Sequence, residues 1–157
     1  MSDARPAEIA DTDVYITRMF AAPRELVFRF FTEPEHLASW FGPTGFSVPV
    51  ETVEIDPRVG GRWNLSMVDD TTGESYPIRG EIVEFDPPER IVVAMNAQSD
   101  LGPLDKITLR LQFHDHGERT RLTLHQGPFS AIERQHTEGG WELSFAKLDS
   151  LFARDEV

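Results

Sequence analysis

Few side chains in this sequence are spaced for chemistry. His114-Asp115-His116 is the nearest approach to a metal-ligand cluster. It falls where a hairpin turn is predicted, beside Gly117, and its spacing matches known ligand patterns only loosely, so no metal site is expected. Gly60-Gly61 precedes a strand pattern rather than a helix, which is the wrong context for a phosphate loop. Ser66, Ser144 and His125 offer a nucleophile and a base, but no spacing ties them together. His125 follows Leu124 and is expected on an outward face. Arg62, Asn64 and Glu54 alternate away from an apolar row. A one-residue slip or bulge would turn them inward, where they could anchor a polar ligand group. The chain has no cysteine, which removes disulfides, thiolate metal sites and cysteine nucleophiles together. No catalytic constellation emerges, the balance leans against an enzyme, and no cofactor is expected.

Composition narrows the classes further. A net charge of −12 sets the surface against nucleic-acid phosphates and anionic membranes. Hydrophobic residues make up 39% of the 157, enough for one folded domain and too dispersed for a membrane span. Met1 to Asp13 is polar and has no signal-peptide apolar core, so the expected location is cytoplasmic. Residues 1–12 read as a flexible tail and 13–157 as a single domain.

The elements that would position any site are set by periodicity. Near the C-terminus, Trp141, Phe145, Leu148 and Phe152 recur at helical spacing, with Glu142, Lys147 and Asp149 on the other side. Ser130-Ala131-Ile132-Glu133 has the capping-box spacing, so a helix is predicted from about Ser130 to Ala153, with Gly139-Gly140 as a candidate kink. Val14–Phe20 reads as a strand. Ala22-Pro23 opens a helix, and Pro34 restarts a second, short one carrying Leu37 and Trp40. Six strands follow: Val48–Ile55, Arg62–Val68, Tyr76–Phe85 with a bulge or bend expected at Gly80, one around Ile91, Val93 and Met95, one around Ile107 to Phe113, and one around Thr120 to Leu124. Ala97–Leu104 reads as a loop. The order predicts an α+β fold in which an antiparallel meander grips the last helix.

Several short motifs, in order, carry a family resemblance. They include Ala22-Pro23-Arg24-Glu25-Leu26-Val27-Phe28, Thr32-Glu33-Pro34-Glu35-His36-Leu37, Trp40-Phe41-Gly42-Pro43, Asp56-Pro57-Arg58-Val59-Gly60-Gly61, Gly80-Glu81-Ile82-Val83-Glu84, Pro87-Pro88-Glu89-Arg90 and Gly140-Trp141. Together, over roughly residues 13–153, the chain resembles the activator of Hsp90 ATPase homologue-like family of the START-like, Bet v 1-like (SRPBCC) superfamily. The resemblance implies a helix-grip fold: a curved antiparallel sheet around a long C-terminal helix, with two short helices after the first strand and a cavity between helix and sheet. It does not imply one function, because fold alone does not fix function.

On that reading the partner is a small, largely apolar molecule. The residues expected to meet it are Trp40, Phe46, Trp63, Leu65, Met67, Met95, Leu109, Phe113, Trp141 and Phe145. The competing use of the same residues is a solid core; Trp40 and Phe41 in particular either gate the cavity or close the core under a turn. Two other functions stay open: a cyclase or hydratase using the same cavity, and a module that contacts an Hsp90-type chaperone or another protein. A homodimer is left open. With no clustered basic stretch, the protein should pass a DNA column unretained at physiological ionic strength. Elemental analysis should find no stoichiometric zinc. Salt-sensitive retention, or one zinc per chain, would contradict these expectations.

Overall fold

The structure, a computed structural model, describes residues 9–99 and 102–153. Eight strands and three α-helices follow one another among these residues. They are β1 (Val14–Phe20), α1 (Arg24–Thr32), α2 (Pro34–Ala38), β2 (Phe46–Ser47), β3 (Glu54–Ile55), β4 (Trp63–Asp69), β5 (Ser75–Asp86), β6 (Arg90–Ser99), β7 (Gly102–His116), β8 (Arg119–Gly127) and α3 (Ala131–Ala153). The main path of the sheet runs β1-β8-β7-β6-β5-β4-β2, and β3 also pairs with β4. All pairings are antiparallel. The sheet curls into a half-barrel around α3. Of the expected N-terminal tail, residues 1–8 lie outside the described residues; just beyond them, the Thr12 carbonyl accepts a hydrogen bond from the Phe129 amide at 2.9 Å.

α3 forms where its cap and stripe place it. The Ser130 amide donates to Glu133 Oε1 at 2.9 Å and the Glu133 amide donates to Ser130 Oγ at 3.1 Å, a reciprocal capping box. The helix runs unbroken through Gly139-Gly140. Trp141, Phe145, Leu148 and Phe152 are all buried. Phe145 and Phe152 meet Phe20 of β1 edge-on, with ring centroids 5.4 and 6.0 Å apart. Phe30 of α1 also meets Phe152, at 5.0 Å. Along β7, Ile107, Leu109, Leu111 and Phe113 face inward, as do Leu122 and Leu124 of β8. The helix and the concave face of the sheet thus share one core.

Several expectations about the strands need correction. The strand predicted over Val48–Ile55 is two short pieces separated by a 3₁₀ turn at Val50–Thr52. Pro49 has no N–H to give a ladder, and the Thr52 amide and hydroxyl both donate to the Pro49 carbonyl instead. The two pieces pair along β4, the Ser66 amide donates to Thr52 Oγ1 at 3.2 Å, and Asn64 and Ser66 are buried rather than solvated. Asn64 is held from both ends: its Nδ2 donates to Glu54 Oε1 at 3.2 Å and its Oδ1 accepts from the Gly80 amide at 3.0 Å.

The loop predicted over Ala97–Leu104 is mostly strand, because β6 and β7 continue pairing as Ala97 with Leu104, Gln98 with Pro103 and Ser99 with Gly102. The turn predicted from His114 begins later, since β7 runs through His116. Gly80 sits in regular register opposite Met95, and the irregularity of β5 lies between Ile82 and Glu84. A Cβ on Gly80 would lie 2.6 Å from Val93 Cγ1 and 3.0 Å from the Trp63 carbonyl oxygen. Close packing, not a bulge, requires glycine there. At the start of α1, Pro23 is the N-cap rather than the first helical residue.

Leu148 is 0% exposed at the centre of the helix–sheet core. Leu148→Ala should therefore destabilise the protein by roughly 2–5 kcal/mol. Chemical denaturation measures this, and a midpoint equal to that of the parent would contradict the packing described.

Candidate functional site

A cavity lies under the N-terminal half of α3. It is open on its outer side and has a volume of about 130 Å³. Its walls come from four places. α3 supplies Trp141, Gly140 and Ser144; β4 and β5 supply Met67 and Ile78; β6 and β7 supply Met95, Ala97, Leu104 and Ile107; and the loop after α2 supplies Phe41 and Pro43. Phe129 and Gln126 close the floor beside β8, and His136, Thr137 and Gln98 stand toward the outside. A wider groove of about 600 Å³ adjoins it past Pro43, Met67 and Gly140, where Phe46, Tyr76 and Leu143 are added.

Small residues keep this space open. Gly140 and Ala97 present little bulk, and the nearest atom to a Cβ on Gly140 would be Pro43 Cγ, 4.0 Å away. Ser144 turns back on its own helix, donating to the Gly140 carbonyl at 2.9 Å. The buried amide of the wall is Gln126, which is 6% exposed. Its Oε1 accepts from Trp141 Nε1 at 2.7 Å, and its Nε2 donates to Met95 Sδ at 3.6 Å. Beyond the cavity, Lys147 donates to the Phe46 carbonyl at 3.1 Å, tying α3 to β2. Burial lowers the pKa of that ammonium from its ordinary value, with Asp70 opposing the shift.

The ten residues expected to meet a ligand divide into two groups. Met67, Met95 and Trp141 line the cavity, and Phe46 lines the adjoining groove. Trp40, Trp63, Leu65, Leu109, Phe113 and Phe145 lie in the packed core and outside the cavity wall. Both core indoles have a definite task. The last carbonyls of a helix have no partner within it. Trp40 Nε1 donates to the Phe30 carbonyl at 2.9 Å, and Trp63 Nε1 donates to the Phe31 carbonyl at 3.0 Å. α1 is thereby finished by side chains from two other elements. Of the Trp-Phe-Gly-Pro motif, Phe41 and Pro43 reach the cavity, Phe41 lying edge-on to Trp141 at 5.4 Å.

Some lining residues beyond those ten are legible in the sequence. Gln126 continues the inward alternation of Leu122 and Leu124 on β8 and is the one polar interruption at its end. Ser144 sits three residues after Trp141 on the helix stripe. Ala97, Gln98 and Leu104 fall in the segment predicted as a loop, where strand pairing in fact places them on the wall.

The remaining chemical candidates are elsewhere. Arg62 pairs with Asp56 at 3.0 Å and Glu54 at 3.8 Å at the exposed edge of β4. The Asp56 carboxyl is held below its usual value by hydrogen bonds from the Arg62 side chain and backbone. His125 is half-buried on the outer face, where its Nε2 meets Asp13 Oδ2 at 2.6 Å. His114 and His116, two apart on β7, share that outer face. Burial, then Arg121, depresses the pKa of His114, and its Nε2 lies 3.3 Å from Thr123 Oγ1. Among the described residues, no group of three histidines or carboxylates is placed to hold a metal.

A half-barrel sheet gripping a long C-terminal helix, with a cavity between them, is the Bet v 1-like architecture. The family of "Activator of Hsp90 ATPase homolog 1-like protein" matches residues 21–153. The chain belongs to this family. It is similar to the AHSA1 protein of Silicibacter pomeroyi, at 25% identity and a TM-score of 0.78, over 92% of this chain and 99% of that one. Protein CV1439 of Chromobacterium violaceum is 27% identical, with a TM-score of 0.75 over 88% and 96% of the two chains. Protein Ms6760 of Mycobacterium smegmatis shares the fold at 23% identity and a TM-score of 0.73, over 92% and 93%. No curated protein matches the chain significantly.

If Trp63 completes α1 rather than meeting a ligand, Trp63→Phe leaves the Phe31 carbonyl unsatisfied in the core. The expected loss is about 1–3 kcal/mol of stability, with the affinity for apolar probes unchanged. Denaturation and probe titration of the same variant separate the two roles. Lost affinity at unchanged stability would reassign Trp63 to the site.

Proposed function

We propose that this protein is a container for a small, largely apolar molecule, held in the cavity between α3 and the sheet. One observation carries the reading. The interior is incompletely filled in one place, and the space is lined chiefly by apolar side chains around a single deep amide. Concave apolar sites with a few convergent polar groups are the usual form of small-molecule sites. Bet v 1-like folds commonly bind hydrophobic ligands, which supports the same reading. An enzyme would be expected to aim ionisable groups inward. In the cavity wall, the titratable side chain is His136, near the outside. A module specialised for protein contact would be expected to fill its interior. The large apolar residues that are exposed are spread over several elements, with Met19 on β1, Val83 on β5, Val59 in the turn before β4, and Ile132 and Leu143 eleven residues apart on α3. Among the described residues, no helix is long and apolar enough to cross a membrane.

Native mass spectrometry of freshly purified protein should reveal a co-purifying small molecule, and a titration with apolar fluorescent probes should perturb Trp141. Ala97→Phe adds a ring at a half-buried position of the cavity wall, at the margin of the packed core. It should reduce probe binding by at least roughly tenfold, because the ring occupies the space that apolar surface would otherwise fill. Its melting temperature should stay near that of the parent. Saturable probe binding that is indifferent to Ala97→Phe would place the ligand elsewhere. No binding of any apolar probe would remove the container reading.

A further inference from the structure

The orientation of Gln126 is decided by its neighbour. An indole N–H can only donate. The Gln126 carbonyl oxygen must therefore face Trp141 Nε1, 2.7 Å away, and the amide NH₂ must point the other way. That assignment rests on chemistry and not on a choice between similar atoms. The NH₂ carries two hydrogens. Its partner is the sulfur of Met95 at 3.6 Å, and a thioether is a weak acceptor. Gln126 and Met95 both line the cavity, and Gln126 is 6% exposed. A buried amide donor is thus left poorly satisfied beside an apolar space, a state that costs free energy until an acceptor arrives.

Size and charge limit what can arrive. The cavity's volume of about 130 Å³ compares with about 150 Å³ for an engineered apolar cavity that takes up benzene, so it accommodates one ring. None of its lining residues is Asp, Glu, Lys or Arg. A carboxylate or ammonium seated there would be desolvated without a fixed counter-charge.

We propose that the cavity selects a small neutral ring compound bearing an acceptor oxygen, of the aryl ketone, aldehyde or ether class, which takes a hydrogen bond from the Gln126 amide NH₂. This rests on the container reading. The ring lies among Met67, Ile78, Met95, Ile107 and Trp141, and any larger substituent extends past Gly140 into the outer groove.

The test uses acetophenone and α-methylstyrene, which have nearly the same shape and differ by C=O against C=CH₂. Both are titrated into the wild-type protein and into Gln126→Met, which keeps the side-chain length and removes the donor. The ratio of the two affinities is expected to shift against acetophenone in the variant by roughly three- to tenfold, the range of one net hydrogen bond. Nuclear magnetic resonance of the ¹⁵N-labelled wild-type protein gives a readout that does not depend on the variant folding. One Gln126 side-chain amide proton should move downfield with acetophenone beyond any shift seen with α-methylstyrene. Benzoate should fail to bind where acetophenone saturates. If α-methylstyrene binds but the ratio is unchanged and the amide protons respond alike to both probes, the acceptor inference is overturned and the container reading stands. Benzoate binding as tightly as acetophenone would overturn the requirement for a neutral ligand. If no ring compound binds up to its solubility limit, both readings fall together.

Discussion

Everything in this molecule depends on the burial of one face of α3 against the concave side of the sheet. The helix is a poor one by itself. Gly139 and Gly140 sit together in its interior, and each disfavours helix by about 1 kcal/mol relative to alanine. Its cap and its charged flank recover part of that. The rest has to come from Trp141, Phe145, Leu148 and Phe152, which exchange water for the side chains of β1, β7, β8 and α1. At the rim, Arg18 of β1 joins Glu142 and Asp149, seven residues apart on the helix, at 2.7 and 2.6 Å. These pairs are partly exposed at the rim and contribute modest energy, but they fix the helix along the strand that it crosses.

The same interface explains why the interior is solid at one end and open at the other. Toward the C-terminal half of α3, phenylalanines from three elements interlock: Phe20, Phe30, Phe145 and Phe152 pack edge to face. Toward its N-terminal half the helix presents Gly140, Ser144 and Trp141. The sheet opposite has spread into the long β6–β7 hairpin, with Ala97 on its inner side. Small residues facing a curved sheet leave a gap that Trp141 alone cannot fill. Glycine at 139 and 140 weakens the helix at the place where a side chain would close the space.

Two indoles isolate that gap from the rest of the core. By bonding to the Phe30 and Phe31 carbonyls, Trp40 and Trp63 anchor the end of α1 to the loop after α2 and to β4. Phe41 is thereby held between Trp63 and Trp141, with centroids 5.9 and 5.4 Å away, as the wall between packed and open regions. The third indole bonds instead to Gln126 and so belongs to the cavity. Three tryptophans of the same type thus do two different jobs. Which job each does is set by the acceptor within reach of its N–H.

Local patterning determined much of this in advance. The period of Trp141, Phe145, Leu148 and Phe152, the alternation from Ile107 to Phe113, the Ser130–Glu133 box and the order of strands and helices each follow from contacts between near neighbours. Those contacts are encoded at fixed spacings along the chain, and so they give the helix-grip fold. The site was less legible, because a cavity is a property of what fails to touch. Alternation says that Leu65, Leu109 and Phe113 face inward, but not whether other side chains already fill the space before them. Hydrophobicity says that Trp40 and Trp63 are buried, but not that two helix carbonyls wait for their N–H groups. The inward position of Gln126 was written in the alternation of β8. That its amide is pinned by Trp141, fifteen residues away, was decided only when α3 folded back across the sheet and brought one donor and one acceptor within 2.7 Å.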